Sequence, residues 1–223
     1  MSSPLIIFDC DGVLVDSEPL AALAYERVYD KHGMKGVGAD IIAQCIGMKQ
    51  ADIILKIRDL TGHLLPPEHD GDIWTETRAL MTERLEPTKD VRTFLGALAL
   101  PRCVASSSSL ERIHHSLAVT DLAGYFGEAI VSSSMVSRGK PAPDIFLFAA
   151  DKMGAEPSKS VVIEDSPLGV QGAVAAGMFT IGFTGGSHTY PGHADKLLAN
   201  GASAICANWN EVSRELERLQ AAA

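Results

Sequence analysis

A doubly wound α/β core on a parallel sheet, interrupted after its first strand by an all-helical insertion, is the fold that the sequence predicts. Short apolar runs alternate with stretches of helical periodicity, which is the signature of βαβ units. Most of those runs are continuous rather than alternating, as strands covered by helices on both faces require. From Ser17 to Pro87 the apolar residues recur only at helical spacing and no strand-like run occurs, which locates the insertion.

In chain order, strands are expected at Leu5 to Phe8, Arg102 to Ala105, Ala129 to Val131, Val161 to Ile163, Phe179 to Phe183 and Ala204 to Cys206. Inside the insertion, Leu20, Leu23, Ala24 and Val28 mark one helix, Ile53, Ile54, Ile57 and Leu60 a second, and Trp74, Met81 and Leu85 a third. Gly33 and Gly62 follow the first two where C-terminal caps belong. The expected domains are therefore a core at 1–16 and 88–223 and a helical cap at 17–87.

A chain of 223 residues buries a sufficient core for this architecture. Its net charge of −9, with no block of Lys or Arg, would repel a nucleic-acid backbone. The longest apolar stretches are of strand length, far short of the roughly 20 residues that a bilayer crossing needs, and Met1 to Leu5 has no basic segment of the secretory kind. Cys10, Cys45, Cys103 and Cys206 are scattered singly, which fits a reduced, cytoplasmic setting. The seven histidines fall at no zinc-ligand spacing, and neither nucleotide-binding glycine motif occurs. The residues leave open whether the chain is a monomer or a weak homodimer.

The chemistry emerges at the strand ends. Phe8 runs into Asp9-Cys10-Asp11-Gly12, Ala105 into Ser106, and Ile163 into Glu164-Asp165, while Lys140 follows the third strand at a short distance. Ligands of open α/β sheets bind beyond the carboxyl ends of the strands, so these groups should converge. Acids crowded together cannot all stay ionised without a cation, and hard oxygen ligands suit Mg²⁺.

The segment Asp9-Cys10-Asp11-Gly12-Val13-Leu14-Val15-Asp16-Ser17 resembles the first motif of haloacid dehalogenase-type phosphatases, D-x-D-G-x-L-x-D-S. Ser106, Lys140 within Lys140-Pro141-Ala142-Pro143-Asp144, and Glu164-Asp165-Ser166 resemble the second, third and fourth motifs, in order. The insertion is placed as in the subgroup that includes phosphoglycolate phosphatases, sugar-phosphate phosphatases and β-phosphoglucomutase. The resemblance implies a Mg²⁺-dependent hydrolase of small phosphomonoesters. Asp9 is then the nucleophile, Asp11 the general acid and base, Ser106 and Lys140 the holders of phosphoryl oxygens, and Asp9, Asp11, Glu164 and Asp165 the metal set.

Each assignment has a plainer rival. Asp9, Asp11 and Gly12 suit an ordinary turn, but that leaves the later acidic pair unexplained. Lys140 suits an exposed surface position. Ser108-Ser109-Leu110-Glu111 fits a capping box, so part of the serine run is expected to start a helix while Ser107 offers its backbone to the substrate. Ser166-Pro167 and Asp144 read as helix starts. In the cap, Glu18, Lys49 and Gln50 are the candidates for contacting the leaving group, with Lys49 equally explained as a solvated residue. Two places where β-phosphoglucomutases carry histidine and arginine hold Ala21 and Gln50, which favours hydrolysis over mutation of a sugar phosphate. A dehalogenase would not need the acidic set, and a phospho-aspartate signalling domain would not carry a cap after its first strand.

Overall fold

The computed structural model describes residues 4–221, so residues 1–3 of the expected non-secretory segment Met1 to Leu5 lie outside the described chain. Its sheet comprises β1 (Ile6–Phe8), β2 (Arg102–Ser106), β3 (Ile130–Ser132), β4 (Val161–Glu164), β5 (Phe179–Phe183) and β6 (Ala204–Cys206), all parallel, in the order β3-β2-β1-β4-β5-β6. Every expected strand is present within a residue of its expected bounds. Shifts occur where a polar residue, Ser106, Ser132 or Glu164, continues the ladder past the apolar run.

Alternate side chains of these strands feed two different cores, as the period of two demands. Ile6, Phe8, Val104, Ile163 and Ile181 face one side, where α5 (Val91–Ala97), α6 (Leu110–Val119) and α10 (Trp209–Ala221) pack. Ile7, Cys103, Ala105 and Val162 face the other, against α7 (Asp144–Lys152) and α8 (Pro167–Ala175). Helix α9 (His193–Ala199) closes the β5–β6 edge. All four cysteines are buried and free, and among the described residues no helix is long and apolar enough to cross a membrane.

Trp209 ties the first of these cores together. It is 2% exposed, with ring centroids 4.7 Å from both Phe94 and Phe183. Its indole N–H donates to Thr88 Oγ1 at 3.1 Å, and Thr88 Oγ1 in turn donates to the carbonyl of Val13 at 2.7 Å. Removing so large a side chain leaves a cavity that the sheet cannot fill. Trp209→Ala is expected to lower unfolding free energy by about 3–5 kcal/mol; a denaturant titration shifted by less than about 1 kcal/mol would show that the site collapses freely.

Between β1 and β2 lie α1 (Glu18–Lys31), α2 (Ala39–Ile42), α3 (Gln50–Thr61) and α4 (Asp70–Arg84). They share a core of their own around Tyr25, Tyr29, Ile54, Ile57 and Ile73, while Leu20, Ala24, Leu80 and Met81 join the core over the sheet. Gly62 closes α3 in the left-handed conformation at φ 78°. The four-residue α2 has no sequence period to announce it. The chain enters and leaves this region side by side: Asp16 N–H donates to Glu86 O at 2.9 Å, and Val15 bridges to Pro87.

Candidate active site

The sheet order reverses direction between β1 and β4. Consecutive connections run outward from β1 through β2 to β3 on one side and from β4 through β5 to β6 on the other. That switch point opens a crevice beyond the carboxyl ends of both strands. Asp9 directly follows β1, Glu164 ends β4, and the backbone N–H of Asp9 donates to Ile163 O at 3.0 Å, which aligns the two acidic segments.

Lys140 fills the space between them. Its side chain is fully buried, 3.0 Å from Asp9 Oδ1 and 2.5 Å from Glu164 Oε1, and it also donates to Ala105 O at 3.2 Å. Ligand oxygens of Asp9, Glu164 and Asp165 lie within 4.8 Å of one another. Burial outweighs the Lys140 ammonium and raises the pKa of Asp9 well above the usual carboxylate range, with Glu164 and Asp165 adding to the rise. Burial likewise raises Glu164 against the pull of Lys140. Lys140 moves the other way from what its burial dictates, because Asp9 and Glu164 hold its proton. One ammonium does not neutralise the acids it serves.

That surplus of negative charge is the test for a metal. Asp9 Oδ1 and Asp165 Oδ2 are buried without a hydrogen bond, because their close approaches to Lys140 and His188 lack hydrogen-bond geometry. Buried anionic oxygens facing one another fit a hard divalent cation. Glu164 is differently employed: Oε1 meets Lys140, and Oε2 accepts from Ser166 N–H and Ser166 Oγ, both at 2.9 Å.

Asp11 is held by three donors. Oδ1 accepts from Ser17 Oγ at 2.6 Å and Arg112 Nη2 at 2.7 Å, and Oδ2 accepts from Ser108 Oγ at 2.6 Å. Burial alone would raise its pKa, but Arg112 and the two hydroxyls outweigh that and hold it below the ordinary value. Gly12 then turns the chain at φ 75°. A Cβ there would lie 1.9 Å from Asp165 Oδ2, so only glycine lets Asp165 approach the loop.

Of the residues expected from sequence, Asp9, Asp11, Ser106, Ser107, Glu18 and Asp165 line one cavity, with Lys140 and Glu164 directly behind its floor. Ser107 contributes more than backbone, since its hydroxyl donates to Gly47 O at 3.0 Å and fastens the α2–α3 loop to the sheet. Gly47, at φ 82°, passes so close to Ser166 that a Cβ would meet Oγ at 2.6 Å. Glu18 is pushed up to about 7 by burial, with Asp11 and Asp165 adding to it. Ser166 caps α8, accepting from Gly169 N–H at 3.0 Å, and Asp144 starts α7.

Three placements differ in detail from what the sequence suggests. Lys49 does not line the cavity: its stem lies against Gly139, where a Cβ would come within 2.4 Å of Lys49 Cε. Gln50 lines a second, adjoining cavity, yet its amide donates to Asp70 O at 2.9 Å. The cap of α6 is a single N-cap one residue later than the Ser108–Glu111 spacing suggests. Ser109 is the N-cap of α6, accepting from Arg112 N–H at 3.3 Å, while Ser108 turns to Asp11.

Sequence reasoning missed Arg112 and His188. Arg112 sits in the first turn of α6, where the helix dipole disfavours a cation; that mismatch was its signal. His188 Nε2 lies 2.9 Å from Asp165 Oδ2 on a loop after β5, a strand end that carries no motif. Asp165 outweighs burial and raises the pKa of His188. A separate group, His32, His69 and Asp72, brings ligand atoms within 4.8 Å of one another on the cap, although no zinc-like spacing announces it.

A carboxylate at a strand end, a buried lysine, an acidic pair and an inserted helical region meet in one crevice. A model of the haloacid dehalogenase-like hydrolases matches residues 4–177, and the chain belongs to that family. Within it, the chain is an enzyme of the phosphatase type. It is 33% identical over 180 residues to fructose-1-phosphate phosphatase of Escherichia coli, covering 78% of this chain and 92% of the relative. It is 27% identical over 187 residues to 6-phosphogluconate phosphatase of the same organism, covering 83% and 85%. A haloacid dehalogenase-like protein of unknown function from Agrobacterium tumefaciens superposes with a TM-score of 0.84 at 35% identity, covering 98% of this chain and all of the other.

Proposed function

We propose that the protein hydrolyses a phosphomonoester of a sugar or sugar acid through an aspartyl-phosphate on Asp9. The observation that carries this is the surplus of buried negative charge around a single buried ammonium, at the end of the central strand. The sugar class is supported by the named activities of the relatives.

Asp9 and Asp165 would hold Mg²⁺ with their side chains and Asp11 with its backbone carbonyl, while Glu164, both oxygens engaged, supports them indirectly. When bound, Mg²⁺ supplies the positive charge that lets a carboxylate meet a phosphate dianion and polarises the phosphoryl group. A carboxylate oxygen of Asp9 attacks phosphorus, and the bond to the leaving oxygen breaks. Lys140 and the Ser106 hydroxyl stabilise charge on the transferring oxygens. Asp11 donates a proton to the departing alkoxide, then takes one from the water that cleaves the aspartyl-phosphate. Because its pairing with Arg112 favours the ionised form, that pair opens when substrate enters.

Helices α1–α4, spanning the proposed domain 17–87, act as a cap that excludes bulk water and contacts the leaving group. The free, buried cysteines fit a cytoplasmic setting. Ala21 on the cavity wall, in place of a histidine, supports hydrolysis over phosphate return to a sugar.

Dialysis against EDTA is expected to abolish phosphate release from fructose 1-phosphate and p-nitrophenyl phosphate, and added Mg²⁺ to restore it. Turnover that persists without metal would exclude the metal-assisted reading.

A further inference from the structure

We infer that Arg112 reads the leaving group, and that the second cavity is a subsite for a carboxylate carried on the organic part of the substrate. This rests on the phosphatase reading above and narrows it to phosphorylated acids.

Arg112 lines both the cavity over Asp9 and the adjoining one between α6 and the cap, and it is the one Lys or Arg among the described residues lining either. The acids Asp9, Asp11, Glu18 and Asp165 line only the first. The second holds Tyr25, Gln50, Trp74, Thr77 and Arg112 among its lining residues and no acid. In a chain of net charge −9, a pocket with one cation and no acidic side chain is set for an anion. Lys140 cannot serve there, since its side chain is fully buried between Asp9 and Glu164.

The hydrogen bonds of Arg112 leave room for a ligand. Nη2 donates to Asp11 Oδ1 at 2.7 Å, while Nε, on the same edge of the guanidinium, is buried without a partner. The Nε and Nη2 N–H groups of a guanidinium match the two oxygens of a carboxylate, and Asp11 takes a single N–H of Nη2 and none of Nε. A buried donor left unpaired is a standing penalty. A substrate carboxylate accepting from both N–H groups removes that penalty and replaces a one-point pair with a forked one. The Trp74 ring and the Thr77 hydroxyl, which line the second cavity, suit the hydroxylated carbons between the carboxylate and the phosphate. The placement of Arg112 is also unfavourable for α6, as a cation in the first helical turn, so helix stability does not account for it.

The experiment compares matched esters on the full chain with Mg²⁺. The pairs are 6-phosphogluconate with sorbitol 6-phosphate, and 2-phosphoglycolate with 2-hydroxyethyl phosphate, each differing only in carboxylate against hydroxymethyl. The wild type is expected to favour the acid in at least one pair by about tenfold or more in kcat/KM. In Arg112→Gln that preference disappears, chiefly through a higher KM for the acid, and Arg112→Lys, with charge but no fork, recovers part of it. Equal treatment of acid and alcohol by the wild type in both pairs overturns the inference without any variant. So does an Arg112→Gln enzyme that loses the same factor on both members. Failure of the underlying reading looks different: no ester, p-nitrophenyl phosphate included, releases phosphate.

Discussion

Asp9→Asn is expected to reduce p-nitrophenyl phosphate turnover by at least about four orders of magnitude, since the proposed mechanism places the phosphoryl group on Asp9. The same change should move the melting temperature by only a few degrees, because about 1 kcal/mol corresponds to about 2–4 °C in a chain of this size. The reason lies in the charge count around Lys140. Asp9 and Glu164 share one buried ammonium, with Asp165 close to both acids, and Asn keeps the shape of Asp while removing one of the surplus charges. Glu164 still pairs with Lys140. Parallel kinetic and thermal measurements on the variant check both halves. Substantial remaining turnover would remove Asp9 from its role, and a collapse in melting temperature would make it a structural residue instead.

Lys140→Met should do the reverse and damage both properties. Methionine fills nearly the same volume, so the effect is electrostatic rather than a cavity. Glu164 and Asp9 lose their buried counter-charge, and breaking a buried pair from one side costs about 3–5 kcal/mol. On the proposed mechanism Lys140 stabilises the transferring oxygens, and its loss should reduce kcat by roughly 10²–10³-fold. Chemical denaturation of the metal-free variant gives the stability change directly. A shift below about 1 kcal/mol, the range of an exposed ion pair, would contradict the burial argument.

The two variants probe parts of the site that were readable to different degrees. The strands were legible because a parallel sheet covered on both faces needs continuous apolar runs, and residues at the ends of three strands converge with Lys140 from the loop after β3, as the switch-point rule demands. What escaped is everything decided by tertiary pairing. Ser17 reads as the start of a hinge, yet its hydroxyl serves Asp11 and leaves α1 without a side-chain cap. In the serine run, local rules recognise a cap but not which hydroxyl turns away from it. Ser108 bonds across 97 residues to Asp11 and leaves the capping to Ser109. Arg112 likewise depends on a carboxylate 101 positions earlier. Lys49 illustrates the opposite limit: a lysine packed on Gly139 and one reaching into a pocket have the same sequence.

The chain of contacts from Trp209 through Thr88 to Val13 joins segments separated by 121 and 75 positions. During synthesis, therefore, Asp9 is made about two hundred residues before the indole that braces its loop. A nascent chain would hold the Asp9 carboxylate on an unsupported turn throughout that interval. Catalytic competence should thus arrive abruptly, with the docking of α10, rather than accumulate strand by strand.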